Sequence, residues 1–363
     1  MKCHKIDGNV SFVRLGDSKP KTKSGRIEIN KLYSKLNHEV TVNVKKDYCY
    51  LCEEKCTSFR NSHSIPKFIL SHISENGQLL SYIRREMSPE KNDFGENNAG
   101  TFQFICENCE NSLFRDYEQE DAYLNVPTNK MLSQIALKNY LHMIWKRQNE
   151  IEFYKVLKKH FPQTKQMVEE KLFFAKKDLY DYTTLCSYAR KILKQNSGNG
   201  YDLLFYIKLD YVVPYASQAA ITLFSDFEDN IVNNIFSFSS TDYIENINIA
   251  VFPLKSSSVI LAFVEKTNTR YKEFFKQLNN LSLEDQLASI NYIIFANTEN
   301  VFVHRSLYEL VNENEYFRDV CKLTFDYKSN YANPNPYGQA MKEFSLSNRH
   351  KIPNLLSKEY ALG

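Results

Sequence analysis

The chain has 363 residues, with 46 Lys+Arg against 43 Asp+Glu, 43% hydrophobic residues and 25% charged ones. That is ordinary for a globular chain and enough for two or three domains with a buried core. No run of about 18 apolar residues occurs, and the opening MKCHKIDGNV has no apolar leader core. The expectation is therefore a cytoplasmic protein without a membrane span. In that compartment the eight cysteines should be reduced or metal-bound, not disulfide-bonded.

Residues 1–46 form a basic N-terminal segment, with 11 Lys+Arg against 4 Asp+Glu. Its KPKTKSGR stretch at 19–26 either meets phosphates or serves as a solvated arm. SFVRL at 11–15 and EVTVNV at 39–44 alternate as strands do. Residues 47–125 hold two thiol pairs, Cys49/Cys52 and Cys106/Cys109, with a polar insertion at 87–100 that reads as a loop.

Residues 126–198 read as helical. Thr128 or Asn129 caps the first helix after Pro127, and Leu132, Ile135, Ala136, Asn139, Tyr140 and Met143 follow helical spacing. Pro162 breaks the run, and a second helix covers about Gln163 to Leu193. Residues 199–325 read as an acidic α+β domain, with 8 Lys+Arg against 16 Asp+Glu over 200–320. Its β-like runs are LLFYIKLDYVV, AAITLFS, NIFSFSS, NINIAVFPL and SVILAFVEK. RYKEFFKQLNN and LEDQLASINYIIFANT read as helices, the second turning into a strand near Ile293. Residues 326–363 read as a loosely packed C-terminal tail. The fold class is thus α+β: a zinc-stabilised N-terminal module, central helices and a C-terminal α+β domain.

One CxxC is a weak signal, but two in one reduced chain point to a four-cysteine zinc site built from Cys49, Cys52, Cys106 and Cys109. Thiolates suit a borderline-soft ion that imposes no geometry of its own. Cys56 is a fifth candidate at a poorer spacing, and Cys3, Cys186 and Cys321 are isolated packing residues. Between the pairs lies NSHSIPKFIL, which sets His63 two residues before Ile65-Pro66.

The order CxxC, His-x-Ile-Pro, CxxC-Glu over residues 47–120 resembles the zinc-stabilised HNH, or ββα-metal (treble-clef), endonucleases. More narrowly, SHSIPKFIL with CENCENSLFRDYE resembles a group of bacterial proteins reading roughly SHIIPKF…CxxCE. The resemblance implies His63 as general base and Glu110 as ligand to a catalytic Mg2+ or Mn2+, beside a structural Zn2+. The substrate would be a phosphodiester of DNA or RNA. Glu118 would bind metal or, better, pair with Arg115 or a basic strand; Asp116 and Asn111 are weaker candidates. Ser62 stands where many HNH enzymes carry an acid, and Asn97 and Asn98 sit only near the middle asparagine of the signature.

His142, Trp145, His304 and Arg305 read as core or rim residues, while Arg84 and Arg85 could meet phosphate. The implied function is a metal-dependent endonuclease, by analogy a bacterial defence effector. Its C-terminal half would sense a ligand or bind a protein partner. The alternative is a catalytically inactive zinc module that binds nucleic acid or protein.

Overall fold

The computed structural model describes residues 23–56, 58–81, 93–195, 199–239, 241–326 and 334–363. SFVRL at 11–15, residues 19–22 of the basic stretch, Cys3, Arg84 and Arg85 lie outside them. The helices in chain order are α1 (Lys23–Val44), α2 (Lys67–His72), α3 (Glu107–Leu113), α4 (Asn129–His160) and α5 (Lys165–Gln195). They continue with α6 (Tyr271–Asn279), α7 (Leu283–Asn297), α8 (Tyr308–Glu313), α9 (Glu315–Asp326) and α10 (Pro336–Phe344). The strands are β1 (Ser62–His63), β2 (Gln78–Leu80), β3 (Asp93–Gly95), β4 (Thr101–Phe102), β5 (Tyr201–Leu209), β6 (Tyr215–Ile221), β7 (Ile247–Pro253), β8 (Ser258–Glu265) and β9 (Val301–Val303).

Seven strands make one antiparallel sheet in the order β3-β2-β9-β6-β7-β8-β5. Strands β6 and β7 are buried at every position, so both faces of the sheet are covered. Alternation along the strands sorts the side chains. Ile249, Val251, Ile260, Ala262 and Val264 face a core shared with α6, α7 and α9. Ala250, Phe252, Val259, Leu261 and Phe263 face a second core shared with α4 and the cysteine-bearing module. The module also reaches the sheet directly, since β2 pairs with β9 at Leu80↔Val303.

Helix α4 starts where the sequence signals it: the Thr128 hydroxyl accepts from the Met131 amide at 3.3 Å. From Met131 to His142 every residue is buried, so this stretch is enclosed on all sides and its polar residues must find partners. Asn139 donates to Asn248 on β7 at 2.9 Å, and Gln218 on β6 donates to Asn139 at 3.0 Å. These amides fix the helix over the sheet. Pro162, which lacks an amide proton, ends the run, and α5 returns antiparallel against α4.

Four expectations change. EVTVNV is the last part of α1, not a strand. Leu36 and Val40 bury against Val156, Leu157 and Val168 of the α4–α5 hairpin, and helical spacing, not alternation, sets them on one side. NIFSFSS forms no strand among its described residues, and α7 runs to Asn297 without turning into one at Ile293. The end of the chain is packed: Leu346, Ile352, Leu355 and Leu356 are buried in the core with α7. Asn291 of α7 also donates to the Pro353 carbonyl at 3.0 Å.

His142 is buried beside Phe102, with ring centroids 5.2 Å apart, and stacks on Trp145. Burial, helped by the Lys146 charge, holds its pKa down to about 3 from the ordinary 6.5. The fold keeps this imidazole neutral, while the unfolded chain takes up a proton as pH falls below about 6.5. Stability is therefore lost as pH drops through that window, by about 3 kcal/mol between pH 6.5 and pH 4. In His142→Phe that loss should disappear when urea midpoints are compared at the two pH values. An unchanged slope would place the acid sensitivity elsewhere.

Candidate metal centre

The first thiol pair sits in a tight knuckle. The Cys49 amide donates to the Glu54 carbonyl and the Glu53 amide to the Cys49 carbonyl, each at 2.9 Å. Glu53 closes the loop in the left-handed region, at φ 61°. The knuckle is stapled to the strand entering the second pair. Tyr50 donates to the Phe104 carbonyl at 3.2 Å, and the two rings stack with centroids 4.4 Å apart. Arg190 of α5 holds the other side through the Leu51 carbonyl at 2.7 Å. The second pair opens α3, where Cys106 is the N-cap and its sulfur accepts from the Cys109 amide.

The four sulfurs of Cys49, Cys52, Cys106 and Cys109 all lie within 4.8 Å of one another, and the Cys52 and Cys106 Sγ atoms are 3.8 Å apart. A tetrahedron of Zn–S bonds near 2.3 Å has edges of about 3.8 Å. The 53 residues between the pairs thus fold back far enough to bring all four sulfurs around one ion. Burial works against ionising Cys49, yet the amides of Cys52, Cys106 and Leu51 outweigh it and bring the thiol down to about 7. Burial, followed by the neighbouring sulfurs, pushes Cys109 well up. Four thiolates at this separation repel one another, and a cation at their centre removes that repulsion. Cys56 hydrogen-bonds to the Ser58 carbonyl at 2.8 Å and is not part of the cluster.

His63 lies on β1, which pairs with β4 through Ser62↔Phe102 and His63↔Thr101. The turn into β4 needs Gly100. Its φ is +64°, and a Cβ there would stand 2.4 Å from the Ser64 hydroxyl and 3.1 Å from the Phe302 ring. The His63 Nε2 lies 3.2 Å from the Glu96 carbonyl. A carbonyl only accepts, so Nε2 carries the proton and Nδ1 the lone pair. Burial lowers the His63 pKa, and the charges of Lys138 and Lys67 lower it further.

Glu110 lies on α3 and is 7% exposed. Both its oxygens are engaged: Ser62 donates to Oε2 at 2.8 Å, and the Lys138 ammonium meets Oε1 at 2.5 Å. Lys138 comes from the enclosed part of α4 and has no exposed surface. It also pairs with Glu118 at 3.1 Å and sits 3.8 Å over the Phe114 ring. Burial raises the Glu118 pKa against the pull of Lys138, and the Glu110 charge adds to the rise.

His63 and Glu110 thus take separate partners. Successive side chains leave a strand on opposite sides, so Ser62 reaches Glu110 while His63 reaches Glu96. Asp116 pairs with Lys130 and accepts from Gln134. The Asn97 carbonyl accepts from Asn61, and His304 and Arg305 sit at the rim, with Arg305 on Asp93. Motif spacing did not single out Lys138. The available signal was a lysine in the middle of the apolar run MLSQIALKNYLHMIW, since a lysine enclosed there needs carboxylates.

No protein family, curated protein or solved structure matches this chain. Among the described residues no helix is long and apolar enough to cross a membrane.

Proposed function

We propose that residues 47–125 bind one structural zinc ion through Cys49, Cys52, Cys106 and Cys109, and that this HNH-like module binds nucleic acid without cutting it. Nucleic acid as the partner follows the HNH resemblance of the motif; the observation against cutting is Lys138. Its ammonium lies between Glu110 and Glu118, 2.5 Å and 3.1 Å from their oxygens. An ammonium there already compensates the carboxylates that a hard divalent ion would use. Ser62, in the place of an acid, spends its hydroxyl on the same glutamate. These residues do not fit a second, catalytic cation. The zinc ion, by contrast, suits its four-thiolate donors and fixes the knuckle against the start of α3.

A metal-dependent endonuclease is the second reading. It is favoured by β1 and β4, an antiparallel pair that α3 follows in the chain, and by a His63 whose pKa burial lowers below 6.5. Incubation of plasmid DNA and of RNA with wild type and His63→Ala, in Mg2+ or Mn2+, separates the two. No cleavage by either protein is expected. Cleavage by wild type that disappears in His63→Ala would overturn the binding-only reading in favour of the nuclease.

A further inference from the structure

Helix α5 shows solvent one face over almost its whole length. Phe173, Lys176, Tyr180, Thr184, Ser187, Lys191 and Lys194 recur at steps of three and four residues and are exposed. Between Lys171 and Gln195 that face carries no carboxylate, in a chain whose acids nearly equal its bases. The two acids of this stretch, Asp178 and Asp181, point inward: Asp178 pairs with Arg147, and Asp181 accepts from the Ile244 amide. At its C-terminal end the face carries a shallow, open groove lined by α5 residues alone, Ser187, Arg190, Lys191, Lys194 and Gln195. The groove adjoins the zinc knuckle, because Arg190 binds the Leu51 carbonyl between Cys49 and Cys52.

Toward the middle and the N-terminal half of the helix the same face carries exposed aromatic rings. Tyr180 is 73% exposed, and Phe173 packs on Phe238, itself 61% exposed, with ring centroids 5.3 Å apart. From Tyr180 to Lys191 the helix rises about 16 Å, the reach of a few nucleotides. Cations in a groove with aromatic rings along the same stripe are what a single polynucleotide strand requires: phosphates on the lysines, bases on the rings. A duplex hides its base faces and would leave the rings unused.

We propose that the solvent face of α5 is a single-strand nucleic-acid track, with Lys191, Lys194 and the Arg190 groove holding the phosphates and Tyr180 stacking a base. This rests on the binding role proposed above but sets the strand on α5, outside residues 47–125 and beside the cysteine knuckle, and it names the strandedness of the partner. It does not depend on whether the module also cuts.

The test is fluorescence anisotropy with a labelled single-stranded 20-mer, without added divalent cation. Variants are Lys191→Glu with Lys194→Glu, and Tyr180→Ala; all three side chains are exposed, and circular dichroism melting checks the fold. Wild type should bind the strand more tightly than the matching duplex. The double charge reversal should weaken binding more than tenfold and flatten the salt slope by about 1.4. Tyr180→Ala should weaken it by about tenfold. Lys272→Glu with Lys276→Glu on α6 makes the same change in net charge elsewhere and should leave binding within about twofold of wild type. The proposal is overturned if wild type does not bind, if duplex binds better, or if the two charge reversals act alike. Inorganic triphosphate competing as well as the oligonucleotide at equal phosphate would overturn it too, by assigning the groove to a small anion. Cleavage of plasmid DNA or RNA by wild type in the separate Mg2+ or Mn2+ assay would overturn the binding-only reading above, whereas failure of the anisotropy variants to discriminate would overturn this track.

Discussion

Lys138→Met should cost the fold about 3–5 kcal/mol at pH 7, the usual result of removing one partner from a buried ion pair. The substitution keeps most of the length of the side chain but strands Glu110, which is 7% exposed, beside Glu118. Two carboxylates would then be left as neighbours with no cation between them. Two companion measurements separate charge from packing. Glu110→Gln placed on top of Lys138→Met should recover about half of the loss, because it removes one of the two stranded charges. Millimolar Mn2+ should raise the urea midpoint of Lys138→Met and leave that of wild type unchanged, if the ammonium stands where a divalent ion would otherwise sit. A variant as stable as wild type, or a wild type that Mn2+ also stabilises, would show that Lys138 is not filling that role.

Removal of the metal should be at least as damaging locally and uneven across the molecule. The binding free energy of structural zinc, about 10 kcal/mol or more in small domains, is folding free energy where no preformed site exists in the unfolded chain. Cys49→Ser with Cys106→Ser should lower the melting temperature by about 10 °C or more. Amides of residues 47–56 and 104–113 should exchange at least 100-fold faster. The effect should reach β2 and β3, which extend the sheet at its β9 edge from within the module, and fade before β7 and β8. Uniform acceleration across β5 to β8 would mean the zinc module and the sheet unfold as one unit.

The parts of the fold that were legible in the sequence are those whose signals are local. Thr128 and Pro162 bracket α4 through capping and a missing amide, and both act within a few residues of the boundary they set. The apolar runs of β7 and β8 are buried on both faces and read as strands at first sight. EVTVNV misleads because its β-branched residues favour strands, while Val40 is buried by contact with α4 and α5, more than 100 residues away. The packed C-terminus has the same cause. Asn and Pro around residues 333–336 look like a tail, but Leu355 and Leu356 are buried against a helix some 60 residues earlier.

The candidate site divides in the same way. Paired spacing places the four sulfurs, because CxxC is a local geometry and two such knuckles need only one fold-back to meet. The surroundings of Glu110 are not local. Its partner, Lys138, comes from a different element 28 residues on, and nothing in the motif foretells an ammonium there. Glu118 keeps the pairing role expected of it, but with that lysine and not with Arg115.

The metal content of the purified chain, measured by plasma mass spectrometry after dialysis against zinc-free buffer, tests the central claim most directly. The account predicts one zinc per chain in wild type and none in Cys49→Ser with Cys106→Ser. Substantially less than one zinc in wild type, or an undiminished zinc count in the double variant, would contradict it.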